Sequence, residues 1–314
     1  MGQQVLLLSS SLIQKMQKFY KDDLQSKLPP GAIFSAKPIN CTVTAYKSGK
    51  VLFQGANHQE EAAIWSEFTK ASLNSPSSKT LNQTPAKQAS KKVDFSRMSL
   101  IGSDEVGTGD YFGPITVAAS FVKVADFDRL KQLGVKDSKG MKDPEICKIA
   151  KLLIKQIPYS LLILPNEKYN SLQSKGMNQG KIKALLHNQA LLHLQKKLAG
   201  APFDGVLIDQ FAEPSIYYRY IADQKEKVAG EKVFFHTKAE SLHLSVAAAS
   251  IIARYAFVKE MDKLSIEAGF EVPKGAGAHV DKAAAKLIEA QGMESLNKFC
   301  KIHFANTEKA KKLL

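Results

Sequence analysis

The run Leu100-Ile-Gly-Ser-Asp-Glu-Val-Gly-Thr-Gly-Asp-Tyr-Phe-Gly-Pro-Ile-Thr-Val-Ala-Ala-Ser120 constrains this chain more than any other stretch. An apolar lead-in delivers the adjacent carboxylates of Asp104 and Glu105. Glycines at 107, 109 and 113 then interrupt regular structure before a second β-prone run. The pattern predicts a strand with an acidic, bendable tip and a hairpin partner over 115–124. Neighbouring side chains of a strand point to opposite faces, so Asp104 and Glu105 serve one site only if the backbone turns there, which Gly107 and Gly109 permit. Taken alone, such a tip is most simply a solvated hairpin turn.

The flanking sequence divides in two. Residues 9–28 space Leu12, Ile13, Met16, Phe19, Tyr20 and Leu24 by a helical period after a serine run able to cap, and Pro29-Pro30-Gly31 ends the pattern. Short β-like runs at 32–37, 39–46 and 50–54 and a second helix over 59–73, with Ala62, Ala63, Trp65 and Phe68, predict a small α+β domain over 1–73. Residues 74–96, rich in Ser, Thr, Gln, Pro and Lys, read as a flexible linker. From 97 to 314 strands expected at 159–164, 205–209 and 232–236 alternate with helices at 126–133, 143–157, 178–199 and 242–264, and a loop is expected after 164. The alternation predicts an α/β domain, a mixed sheet flanked by helices.

Charge narrows the function. Forty-four Lys and Arg against 30 Asp and Glu leave a formal net charge of +14, a field that favours polyanionic partners. Residues 1–97 hold 13 basic and 6 acidic side chains for a net of +7, and the remainder also carries +7, so the smaller piece is the more basic per residue and suits a nucleic-acid tether. Three scattered cysteines, Cys41, Cys147 and Cys300, have no metal-binding spacing and imply reduced thiols in a cytoplasmic protein. The apolar run after Met1 is too short for a signal peptide or a membrane span, and Leu6 stands where a myristoylation signal needs Ser or Thr. No membrane association is expected.

Two further acids stand at telling places. Asp209 ends the predicted strand 205–209, and Glu240 lies at a strand-to-helix junction. The carboxyl ends of adjacent strands in an open α/β sheet form a natural crevice, where such acids can converge. Several carboxylates in one pocket repel unless divalent cations neutralise them, and an oxygen-only donor set suits Mg²⁺ or Mn²⁺ rather than zinc. Paired hard cations about 4 Å apart suit hydrolysis of a phosphodiester.

Several ordered motifs then agree. Ser103-Asp-Glu-Val-Gly-Thr-Gly-Asp-Tyr-Phe-Gly-Pro114, Val135-Lys-Asp-Ser-Lys139, Leu207-Ile-Asp-Gln210, Ala239-Glu-Ser241 with Ala247-Ala-Ala-Ser-Ile-Ile-Ala253, and His303-Phe-Ala-Asn-Thr307 resemble the type 2 ribonucleases H, and among them ribonuclease HIII. The resemblance implies a ribonuclease H-like fold and metal-dependent endonucleolytic cleavage of the RNA strand of an RNA/DNA hybrid, leaving 5′-phosphate and 3′-hydroxyl ends. It implies that Asp104, Glu105, Asp209 and Glu240 are the catalytic and metal-holding acids. The sibling ribonuclease HII has Gly-Arg-Gly where this chain has Gly107-Thr108-Gly109, and Asp at the place of Glu240. Both departures point to the HIII branch, whose N-terminal TATA-box-binding-protein-like extension the basic module resembles.

For substrate contacts, Gly107 and Gly109 let main-chain groups approach a ribose, Thr108 adds a hydroxyl, and Lys136, Ser138 and Lys139 suit a backbone phosphate, with Ser241 beside the acid it follows. His236, His243, His279 and His303 read as packed or surface residues, and Tyr217, Tyr218 and Tyr220 as packing on a helix. The expected partner is an RNA/DNA hybrid, with no obligate protein partner and a monomeric state. Two alternatives remain open: incision at single ribonucleotides in DNA, and a basic nucleic-acid-binding protein without catalysis.

Overall fold

The computed structural model describes residues 2–21, 23–38, 41–55, 58, 61–62, 64–65, 93–136, 140–230 and 232–314. The chain divides into two compact units, Met1–Lys92 and Val93–Leu314.

The first unit is a four-stranded antiparallel sheet in the order β1-β4-β3-β2, formed by β1 (Gln3–Leu7), β2 (Ala32–Ala36), β3 (Cys41–Tyr46) and β4 (Lys50–Gly55). Helix α1 (Ser10–Phe19) starts where the Ser9 side chain accepts a hydrogen bond from Leu12 N. Its Ile13 and Met16 are buried, as are Phe34, Val43, Val51, Phe53, Ala62 and Trp65. The predicted helix over 9–28 stops early, at Phe19. Beyond it the backbone turns to run beside β2, with Gln25 N donating to Ser35 O and Lys37 N to Asp23 O, so Leu24 belongs to a bridge with Ala36 and not to the helix. Strand β1 was not foreseen: its apolar run pairs with β4 from Gln3↔Gln54 to Leu7↔Lys50. Of the expected second helix, Ala63 and Phe68 lie outside the described residues, as does the expected linker 74–96 through residue 92; its last residues, 93–96, belong instead to the second unit, where Phe95 is buried and opens a short 3-10 turn.

In the second unit a five-stranded mixed sheet has the order β7-β6-β5-β8-β9. Strands β5 (Leu100–Val106), β6 (Ile115–Val122) and β7 (Tyr159–Leu164) run antiparallel, whereas β8 (Gly205–Asp209) and β9 (Val233–His236) add in parallel to β5. Between them come α2 (Phe127–Gln132), α3 (Asp143–Leu153), α4 (Asn166–Ser174), α5 (Gln179–Lys197) and α6 (Pro214–Tyr220). After β9 follow α7 (Leu244–Ala268), α8 (Ala278–Gln291), α9 (Leu296–Phe299) and α10 (Ala305–Lys311). Helix α4 replaces the loop expected after 164; only Asn166 and Tyr169 of it are buried, so it has no apolar stripe to betray it. Predicted helix 143–157 ends at Leu153.

Helix α7 lies against β5 and β6. Its Ala247, Ala248, Ala249 and Ala253 let it come so close that Ser120 Oγ donates to Ser245 O at 2.6 Å and Thr116 Oγ1 to Ala253 O at 2.9 Å. Tyr111, Phe112, Phe257, Met261, Val280, Leu287 and Phe299 form a second core that joins the β5–β6 connection to the C-terminal helices.

Candidate active site

Strand β5 remains regular through the acid pair: Asp104 is opposite Ala118 and Glu105 opposite Val117 on β6. The backbone does not turn there, because both residues are committed to the ladder, and the break comes only at Gly107, whose φ is 93°. Asp104 and Glu105 therefore leave the sheet on opposite faces, contrary to the expectation that the glycines fold them to one side.

On one face, Asp104 is buried and has α7 beside it through Ser250, whose hydroxyl hydrogen bonds to it. The parallel ladder of β5 and β8 ends with Ser103 beside Ile208, so the next residues, Asp104 and Asp209, emerge side by side on the same face at the carboxyl ends of their strands. Asp209 Oδ1 in turn accepts a hydrogen bond from Ala239 N at 2.8 Å, which draws in the turn that carries buried Glu240. Burial, then the charges of Glu105 and Asp209, push the Asp104 carboxyl well above the usual range despite its bond from Ser250.

On the other face, Glu105 meets α5. Lys183 Nζ donates to Oε1 at 3.1 Å, and His187 Nε2 lies 2.9 Å from Oε2. The His187 ring is fully buried and its Nδ1 lies 2.9 Å from Ser103 Oγ. Burial alone would raise the Glu105 carboxyl, but the Lys183 charge and the His187 bond bring it down to about 2. The sequence alone did not single out Lys183, His187, Ser103 or Ser250. One signal was available for His187: it interrupts the apolar face of the predicted 178–199 helix, where a polar side chain needs a buried partner.

The other expected residues distribute as follows. Gly107, Thr108 and Gly109 form the turn after β5, with Gln179 Nε2 donating to Thr108 O at 2.9 Å. An added Cβ at Gly107 would lie 2.1 Å from Pro114 O, whereas at Gly109 it would meet nothing within 4 Å. Lys136 is exposed, and Ser138 and Lys139 lie outside the described residues. Ser241 is exposed, its hydroxyl turned back to Lys238 O at 2.8 Å. His243 caps α7 by accepting from Ser245 N, and His236 packs edge-on against Phe95, so both have structural work. Tyr217 is buried against Phe235, and Tyr220 receives a hydrogen bond from Asn178.

Residues 101–307 match the family described as Ribonuclease HII, and residues 3–78 match a domain of unknown function, DUF3378. Ribonuclease HIII of Bacillus pumilus is 58% identical over 315 residues, covering 100% of both chains. That of Bacillus subtilis is 53% identical over 313 residues, covering 100% of this chain and 98% of its own. The chain belongs to the ribonuclease HII family, on its ribonuclease HIII branch. It is an endoribonuclease, a hydrolase that cleaves the RNA strand of RNA/DNA hybrids. Among solved structures, Bst-RNase HIII in complex with Mn²⁺ superposes with a TM-score of 0.68 at 44% identity over 99% of each chain. Aquifex aeolicus RNase H3, at 22% identity and a TM-score of 0.53 over 95% of this chain, shares the fold.

The chemistry of this family depends on a divalent metal. Among the described residues no group of three His, Cys, Asp or Glu side chains converges closely enough to hold an ion unaided. Asp104 and Asp209 nevertheless fit a hard cation: they are side-by-side oxygen donors, and burial, followed by the charges of Glu105 and Asp209, raises the Asp104 carboxyl, a deficit of nearby positive charge. Mg²⁺-type ions are commonly held by one or two carboxylates and complete their shell with water and phosphate oxygens, so a protein cage of three or more ligands is not required. Among the described residues no helix is long and apolar enough to cross a membrane.

Proposed function

We propose that Asp104 and Asp209 on one face of the sheet, Glu240 in the turn that Asp209 holds, and Glu105 on the other face are the catalytic acids of an RNA/DNA-hybrid nuclease that leaves 5′-phosphate and 3′-hydroxyl ends. The observation that carries this is the Asp104–Asp209 pair on adjacent parallel strands, just past the last paired residues Ser103 and Ile208, with the Asp104 carboxyl raised by burial and then by the charges of Glu105 and Asp209. Mg²⁺ or Mn²⁺ would be held there by these carboxylates, and when bound would supply positive charge to a scissile phosphate and its attacking and leaving oxygens. Ser250 orients Asp104, the Ala239 amide orients Asp209, and Lys183 with His187 keeps Glu105 ionised at neutral pH.

Gly107, Thr108 and Gly109 would meet the ribose, and Lys136, Ser138, Lys139 and Ser241 the backbone. Thr108 and Glu240 favour continuous hybrids over single ribonucleotides in DNA. The N-terminal unit would bind the duplex. In support, Gln3, Val5 and Leu7 of its edge strand and Gln54 beside Gln3 are exposed on one sheet face, opposite the face that carries the core. A cytoplasmic monomer without an obligate protein partner completes the proposal.

Asp104→Asn tests it. Asn keeps a partner for Ser250 and removes a buried charge, so the thermal midpoint should hold or rise. Cleavage of a hybrid should fall about a thousand-fold, roughly 4 kcal/mol of barrier. Calorimetry should show weakened Mn²⁺ binding. Robust cleavage by the Asn variant, or undiminished metal affinity, would refute the assignment.

A further inference from the structure

Lys301 is fully buried, yet its ammonium group belongs neither to the acids nor to the surface. Its Nζ donates to two main-chain carbonyls, Asp110 O at 2.9 Å and Gly113 O at 2.5 Å. Both lie in the connection from β5 to β6, the segment that begins with Gly107-Thr108-Gly109. Among the described residues no carboxylate forms an ion pair with it; the side chain of Asp110, within that same loop, accepts from Gly275 N at 2.6 Å. A buried ammonium with no carboxylate in contact is costly, and a Met of similar length would fill the same space without that cost. Packing therefore does not account for a lysine at this place. Directed hydrogen bonds do, because three donors on one nitrogen can gather carbonyls that no apolar side chain could hold.

The rest of the loop is fastened in the same manner from both sides. Tyr111 N donates to Gly275 O at 2.9 Å, Lys301 N to Tyr111 O at 2.9 Å and Gly113 N to Phe299 O at 3.0 Å. The Tyr111 hydroxyl meets Thr307 Oγ1 at 2.9 Å. On the opposite side Gln179 Nε2 holds Thr108 O at 2.9 Å. Between these anchors Gly109 stays exposed, with open space where a Cβ would stand. The loop is thus a rigid rim with one bare main-chain edge, and Lys301 is the buried peg under it.

We infer that Lys301 is a positioning residue: by holding the carbonyls of Asp110 and Gly113 it fixes the Thr108–Gly109 edge against the sugar of the strand to be cut, and so governs substrate affinity rather than the hydrolytic step. This rests on the proposed contact between residues 107–109 and the ribose, and the test separates the two.

Lys301→Met, Gln179→Leu and Gly109→Ala are compared with the unmodified full-length enzyme on one continuous hybrid under saturating Mn²⁺, with KM and kcat measured separately. A misplaced or obstructed rim raises KM about tenfold in all three, with kcat within about threefold. A loss shared equally by kcat and kcat/KM in Lys301→Met would overturn the inference, as would an unchanged KM in that variant. Should Gly109→Ala leave KM unchanged, the contact itself is wrong and the inference fails with it; a raised KM for Gly109→Ala beside a normal one for Lys301→Met sinks the inference alone. If the Met variant does not fold, Lys301→Gln, which keeps a donor on a shorter stem, is expected to raise KM in the same way, and a wild-type KM there overturns the proposal.

Discussion

Asp104 and Glu105 are joined by a peptide bond, and Glu105 N donates to Asp104 Oδ1 at 2.7 Å, yet their side chains have different surroundings. Glu105 faces Lys183 and His187 and is held at about 2, while burial, and then the charges of Glu105 and Asp209, push Asp104 up. A pair of carboxyl groups with opposite shifts is the pattern by which one site acquires an always-ionised acid and one whose charge depends on what binds it. Lys301 adds a third perturbed group, away from the acids. Burial lowers its ammonium from 10.5 to about 7, against the raising influence of Asp110 and Cys300. The unfolded chain therefore binds more protons than the native one between about 7 and 10.5, so this residue makes stability rise with pH across that window, by up to about 1.4 kcal/mol per pH unit. Below the window its full cost is present. Lys301→Met should lack that rise. Urea midpoints of both proteins at pH 7 and pH 9.5 check this, and parallel pH dependences would show that the lysine does not titrate differently on folding.

At the scale of elements, β5 and α7 are the pair that builds the site, and Gly102 is what lets them meet. A Cβ there would lie 2.4 Å from Val246 N and 2.5 Å from the Ser245 carbonyl carbon, both main-chain atoms of a helix that cannot step aside. Gly102→Ala should cost about 3 kcal/mol, lowering the midpoint of a unit this size by roughly 10 °C. Gly109→Ala, with nothing within 4 Å of its Cβ, should stay within about 0.5 kcal/mol of wild type. Equal midpoints for the two would mean that β5 does not press on α7 as described. These elements were legible in the sequence because each has a clean rhythm: an apolar run ending in an acid for β5 and β8, a helical stripe for α5. Strand β1 was obscured because it is an edge strand whose apolar Val5 and Leu7 lie on the exposed face, so its continuous apolar run does not show the alternation that its burial follows. Helix α4 was obscured by its polar composition. Asp104 and Asp209 could be foreseen as neighbours from strand ends alone. The partners of Glu105 could not, since Lys183 and His187 stand 78 and 82 residues away and reach it only through the packing of α5 on the sheet.

For the molecule as a whole, the distribution of charge supports the proposed division of labour between the two units. Residues 1–92 carry 12 basic and 5 acidic side chains, and residues 93–314 carry 32 and 25, so each unit has a net of +7 although the first is less than half the length of the second. Binding to a duplex releases counter-ions in proportion to the phosphates neutralised, and log K falls with log salt at about 0.9 per phosphate contact. A tethered basic unit also raises the local concentration of its neighbour on the same duplex without touching the reacting atoms. Deleting residues 1–92 should therefore weaken hybrid binding and flatten its salt dependence by about one unit of slope for each phosphate no longer neutralised, while kcat at saturating substrate stays within about threefold. Circular dichroism first establishes that Val93–Leu314 is folded, and binding is then titrated at several salt concentrations with uncleavable hybrid. A truncated enzyme with the affinity and slope of the full chain would assign duplex binding to the catalytic unit alone. Loss of kcat in a folded truncation would instead mean that the catalytic step needs the first unit.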